Sequence, residues 1–169
     1  MSLQTTFKRV PIGELKLNSV RDAVIVTQHP WFMSLLKEHH LYFFNAELGA
    51  ITPMQYLLFY ETTKDENGVV NENPRHIAHW GKVKEIIYDV RPVDIIHIPE
   101  LHSMTNELKY WNEIKTWKMN HIVLLEEIGE FKTPLPLEDS YQARYLVNKT
   151  TTFPKLRDAN TIDKLYKEE

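Results

Sequence analysis

Eight histidines and no cysteine bound the metal and nucleophile chemistry open to this chain. A thiolate zinc site and a cysteine nucleophile are excluded. His76 with His79, and the adjacent His39 and His40, are the groupings that invite a shared ion. An offset of three on a strand sends His76 and His79 to opposite faces, and neighbours such as His39 and His40 point apart on a helix or a strand. Metal ligands must converge and be held by supporting groups. The spacing therefore predicts no metal site. No cofactor is expected either, because the 5 glycines form neither a dinucleotide-binding fingerprint nor a phosphate-binding loop.

Paired carboxylates could supply the acid and base that glycoside or amide hydrolysis needs, and Glu126 with Glu127, or Glu61 with Glu85, are the pairs available. Glu126 and Glu127 face opposite sides of a strand. Nothing in the order of residues pairs Glu61 or Glu85 with a second titratable group, so solvated strand faces are expected. Ser34, Ser103 and Ser140 stand in no nucleophile-elbow context.

Aromatic residues say more. Trp31, Phe43, Tyr60, Trp80 and Tyr88 sit on or beside apolar runs, with Thr62 two residues after Tyr60 and His79 next to Trp80. Core filling is the ordinary fate of such rings. A ring flanked by a hydroxyl or an imidazole is also what stacks a planar base and reads its edge. Cations gather in two places: Lys82 and Lys84 with Arg75 and Arg91 around one strand, and Arg144, Lys149, Lys155 and Arg157 in a stretch without acidic residues. The net charge of -3 means that any phosphate backbone must be held by such local patches, since the field of the whole chain repels it.

These groups need elements to hold them. Ala23 to Thr27, AVIVT, reads as a buried strand, and Pro30 then opens a helix to His40, since proline at the first helical position loses no hydrogen bond. LYFFNA (41–46) and QYLLFYET (55–62) read as strands, followed by a turn at Asn67-Gly68 within the polar segment 64–74. His76 to Tyr88 is a strand whose alternation slips near Gly81, predicting a bulge there. Val93 to Ile98 and His121 to Ile128 read as further strands, Ser103 to Lys118 as a helix, and Asp158 to Glu168 as a terminal helix. With 169 residues, 43% hydrophobic and 25% charged, one α+β, mostly β domain fits, and a core of this size is stable without disulfides. No apolar run approaches the roughly 20 residues of a membrane span, and the first residues carry no apolar signal segment. A cytoplasmic protein with no membrane partner is expected.

The order RDAVIVTQHP, LYFFNA, QYLLFYETT, IAHWGKVKEI, HIVLLEEIGEFKTPLPL and NKTTTFPKLRDANTIDKL resembles the small PUA-like proteins, with the EVE, ASCH and YTH-type branches nearest in layout. The resemblance implies one PUA-like domain over residues 1–169: a curved antiparallel pseudobarrel with peripheral helices, interrupted by an insertion over about 97–121. It implies a nucleic-acid-binding module that reads a base, plain or modified, in RNA or single-stranded DNA. Trp31, Tyr60, Thr62, His79 and Trp80 would line its cleft, and Lys82, Lys84, Arg144 and Lys149 would hold phosphates. The alternative from the same resemblance is an ASCH-type hydrolase of a nucleoside-like amide, with Lys82 or Lys84 and Glu85 or Glu61 as its chemical groups. A protein-interaction domain whose aromatics are all core is the third reading.

Overall fold

Alternation of β-branched and aromatic residues builds most of the chain into one sheet, seen in a computed structural model that describes residues 8–12, 22–45, 55–65, 67–118, 120–138 and 149–166. Its strands are β1 (Lys8–Pro11), β2 (Ala23–Gln28), β3 (Leu41–Asn45), β4 (Tyr56–Glu61), β5 (His76–Val90), β6 (Asn120–Pro136) and β7 (Lys149–Thr151). Helix α1 (Pro30–His39) follows β2, the short α2 (His102–Thr105) and α3 (Leu108–Ile114) lie between β5 and β6, and α4 (Phe153–Asp158) and α5 (Asp163–Tyr166) follow β7. Among the described residues the sheet order is β3-β6-β5-β4-β2-β7, with β1 added beside β5. The protein is thus α+β and mostly sheet, as expected. The sheet is mixed and does not close, which departs from the expected antiparallel pseudobarrel. The parallel pair is β2 with β4, running from Ala23 opposite Tyr56 to Gln28 opposite Glu61, because α1 and β3 carry the chain back before β4 begins.

Alternation assigns the two faces. Val24, Val26, Leu57, Phe59, Val123 and Leu125 pack on one face with Met33 and Leu36 of α1. Their neighbours point the other way into two further clusters. At one end Leu41, Phe43, Ile122 and Leu124 are covered by Ile95, Ile98, Leu101, Met104, Tyr110 and Ile114 of the inserted segment. At the other end Ile25, Leu58, Tyr60 and Ile77 are covered by Ile162 and Leu165 of the C-terminal turns. The insertion therefore builds a second core over the other face of β3 and β6, and α1 joins it through Leu35, Trp31 and Phe32.

Pro30 opens α1, and His40 ends it in the left-handed conformation (φ 57°), its N–H donating to Leu36 O at 2.8 Å. Asn67-Gly68 lies at the tip between β4 and β5, with Gly68 at φ 80° and Asp65 Oδ1 accepting from Asn67 N and Val69 N, both at 2.9 Å. The register of β5 on β6 slips between Lys82 and Val83, one residue past the expected bulge at Gly81.

Two segments differ from expectation. Val93–Ile98 is no strand: Pro92–His97 is a 3₁₀ helix. Pro92 starts it, the Asp94 carboxylate accepts from Arg91 N at 3.0 Å, and burial of Ile95 and Ile98 with Val93 and Ile96 exposed follows a period of three rather than two. The terminal helix begins earlier and is split into α4 and α5, because Thr152 caps a turn at Phe153, with its hydroxyl accepting from Lys155 N. The helix expected over 103–118 is likewise broken into α2 and α3 at Asn106 and Glu107.

Candidate functional site

Glu61 is the residue that the apolar pattern of β4 does not explain. Leu57, Phe59 and Glu61 share one side of the strand, so a carboxylate follows two core residues and is fully buried. Burying a carboxylate costs several kcal/mol in effect unless charge or hydrogen bonds compensate it. Glu61 Oε1 accepts from Asn73 N at 3.3 Å, whereas Oε2 has no hydrogen-bond partner among the described residues. What lies near Oε2 is the ring of His79, its Nδ1 at 3.8 Å and also without a hydrogen-bond partner.

Strand pairing brings the two together. Phe59 stands opposite His79 on β5, and the register shifts just after Phe59 on β4 and between Ile77 and His79 on β5. Both side chains therefore occupy the face that α1 covers. The other ring nitrogen, Nε2, points outward and lies 3.3 Å from Oε1 of the exposed Glu130 on β6. His79 thus joins a buried carboxylate to the surface.

That surface is an open cleft of about 410 Å³ lined by Lys37, His40, Glu72, His79, Ile128 and Glu130. Lys37 and His40 come from the C-terminal end of α1, where basic groups complement the helix dipole. Glu72 comes from the β4–β5 connection and pairs with Lys37 at 3.0 Å, which holds its carboxyl below the ordinary range. The connection is tethered from inside, since the buried Asn71 Nδ2 donates to Gln28 O at 3.1 Å and to Thr62 O at 2.8 Å. An imidazole backed by a carboxylate and open to a polar cleft can take or give a proton. Lys37, paired with Glu72, lines the same cleft.

Of the predicted base-binding residues, His79 lines this cleft and the others lie elsewhere. Tyr60 is 3% exposed, within the cluster beneath α5. Trp80 is on that same outer face, half-buried against Gly129 and edge-on to Tyr56 at 5.8 Å. Trp31 belongs to the core of the insertion, edge-on to Phe32, Tyr110 and Trp117, with Nε1 donating to Lys109 O at 3.4 Å. Thr62 Oγ1 lies 3.1 Å from His29 Nδ1 at the junction of β2 and α1. Trp31, Tyr60 and His79 thus fall in three separate packing regions, and the single aromatic-walled cleft expected from them does not assemble.

Among the predicted phosphate holders, Lys82 pairs with Glu126 at 3.5 Å, Lys84 is exposed, and Lys149 Nζ sits 5.7 Å over the Tyr166 ring. Arg144 lies outside the described residues. The alternative catalytic group Glu85 is already engaged, accepting from Arg9 Nε at 3.0 Å and Nη2 at 2.5 Å, and this pairing raises the guanidinium pKa further.

His76 Nδ1 lies 2.9 Å from Pro74 O and shares nothing with His79. His39 stands in a cluster with Glu38 and Glu107 whose ligand atoms lie within 4.8 Å of one another. Lys109 Nζ already bridges its two carboxylates, 3.3 Å from Glu38 and 3.5 Å from Glu107. Tyr110 Oη donates to Glu38 at 2.7 Å, and His39 Nδ1 lies 3.1 Å from Ser103 Oγ. The arrangement pins the insertion to α1. No helix among the described residues is long and apolar enough to cross a membrane.

In the sequence Glu61 and His79 stand in different contexts, with nothing local to join them. The available signal was a charged residue on the buried phase of an otherwise apolar strand. Comparisons of the chain with protein-family models, with curated proteins and with solved structures give no match.

Proposed function

We propose that the protein is a small-molecule hydrolase in which His79, backed by Glu61, moves the proton during hydrolysis of an amide or ester held in the 410 Å³ cleft. One observation carries this reading: a fully buried carboxylate oxygen with no hydrogen-bond partner lies 3.8 Å from a buried imidazole nitrogen whose ring opens to the cleft. His79 Nε2 takes a proton from water as the water oxygen adds to the carbonyl carbon. The imidazolium then returns a proton to the leaving nitrogen or oxygen, and the Glu61 carboxylate stabilises the ring while it is charged. Lys37 offers positive charge to the carbonyl oxygen. General acid–base help of this kind is worth about 10² to 10⁴ in rate. The PUA-like resemblance supports it through the ASCH-type alternative, with Glu61 retained from that set and His79 in place of Lys82 or Lys84. Turnover of a panel of amides and esters by the purified chain should fall at least about 100-fold in His79→Gln. Equal turnover in wild type and variant would exclude the mechanism.

A second reading, recognition of a nucleic-acid strand, is favoured by the outer face of the sheet. Trp80 and Phe153 each meet Tyr56 edge-to-face, at 5.8 and 5.6 Å, Phe153 is exposed, and Lys82 stands opposite Tyr56 on the neighbouring strand. Rings beside a lysine suit stacking with a nearby phosphate. Binding of single-stranded oligonucleotides that falls with salt and is lost in Trp80→Ala would support this reading, and salt-independent or absent binding would remove it.

A further inference from the structure

The cleft at His79 does not stop at Lys37. Beside it lies a second space of about 400 Å³, bounded by α1 and the β4–β5 tip, and Lys37 and Glu72 line both spaces. Their ion pair at 3.0 Å marks the boundary, so the two form one groove along α1 crossed by a salt bridge. Its chemistry changes at that crossing. On one side are His79, His40 and Glu130 with the single apolar residue Ile128; on the other the apolar Pro30, Met33, Val69 and Val70 stand among Ser34, Glu38 and Asn71.

Those valines have no packing reason to be where they are. Val69 is 54% exposed and Val70 58%, side by side at a hairpin tip where polar residues are the rule. The tip is nonetheless well built. Asp65 closes it through two backbone N–H groups, Lys64 and Val70 form a bridge, and Asn71 anchors its return. The two apolar side chains therefore stand at a fixed edge of the groove, more than half exposed.

We propose that the substrate is amphiphilic, an amide or ester whose apolar acyl chain lies along Met33, Val69 and Val70 while its carbonyl reaches His79. The proposal rests on the reading of His79 as the acid–base group. The reaction is a hydrolysis: the bond between the carbonyl carbon and the leaving nitrogen or oxygen breaks, a carbon–oxygen bond to water forms, and a carboxylic acid and an amine or alcohol leave. His79 receives one proton and returns one, with no change in oxidation state.

Two measurements test it on the full chain. Turnover of p-nitroanilides carrying acetyl, butyryl, hexanoyl and octanoyl groups is compared in wild type and in His79→Gln. Binding of acetamide and octanamide to His79→Gln, followed by NMR titration, reads the apolar space without turnover. A buried methylene is worth about fourfold in affinity, so octanamide should bind at least about tenfold more tightly than acetamide even with part of its chain covered. The combined Val69→Ser and Val70→Ser change should reduce that ratio severalfold. Turnover that depends on His79 yet ignores chain length, or a binding ratio unmoved by the serine changes, would overturn the proposal and leave the acid–base reading intact. Chain-length-dependent binding with no His79-dependent turnover would overturn both, leaving a groove that binds acyl chains and does no chemistry.

Discussion

Gly129 sits under Trp80, and the consequence can be worked out atom by atom. A methyl group at Gly129 would lie 2.1 Å from Cζ2 of the Trp80 indole and 2.2 Å from Cε2. Carbon atoms need about 3.5 Å, so the ring must move by more than an ångström. Gly129 does not have the positive φ seen at Gly68, so the clash, not backbone strain, sets the effect. Overpacking of this kind costs about 1–3 kcal/mol, and the displaced ring also loses its contact with Tyr56. Gly129→Ala should lower the urea midpoint correspondingly, followed by tryptophan fluorescence, and should lower Tm by roughly 2–12 °C for a chain of this size. The decisive control is the same change made in Trp80→Ala, which removes the three atoms nearest to that methyl group. There the clash with the indole is gone and the cost of Gly129→Ala should fall markedly. An equal cost in both backgrounds, or none in either, would refute the packing assigned to this face.

Acid should destabilise the fold through carboxylates held below their ordinary range: Glu38 by the Tyr110 hydroxyl and then Lys109, Glu72 by Lys37, and Glu100 by Arg9. Because their folded pKa values are depressed, their contribution is complete above the unfolded carboxylate range and is lost as pH falls from about 5 through the folded values. Urea unfolding between about pH 6 and about pH 3.5 should show this loss, and Tyr110→Phe should shrink it. Asn71→Ala removes a buried hydrogen bond to Gln28 O and a partly buried one to Thr62 O, which should cost about 1–3 kcal/mol in denaturant unfolding and speed amide exchange around Glu72.

Local chemistry explains which parts of the fold could be read in advance. AVIVT, the Pro30 start of α1 and the Asn67-Gly68 turn each specify their conformation within a few residues, and each is found where expected. VDIIHI failed because two overlapping periods fit six residues, and the proline in front of it with the Asp94 cap decided for the 3₁₀ helix. The site was harder, because its partners are far apart in sequence. Glu61 and His79 meet only through the register of β4 on β5, and two slips in the ladders decide which side chains share a face. The aromatics misled for a related reason. Trp31 and Tyr60 fill cores whose other halves come from α3 and α5, elements too short to announce what they cover.

The central claim is that Glu61 acts through His79, and a double-mutant cycle on kcat/KM for the best amide or ester substrate tests it most directly. Glu61→Gln should lower kcat/KM by about tenfold or more in the wild-type background, and His79→Gln by at least about 100-fold. Once His79 is gone, Glu61→Gln should cost nothing further, because the carboxylate has no ring left to support. Independent losses that multiply in the double variant would contradict the account.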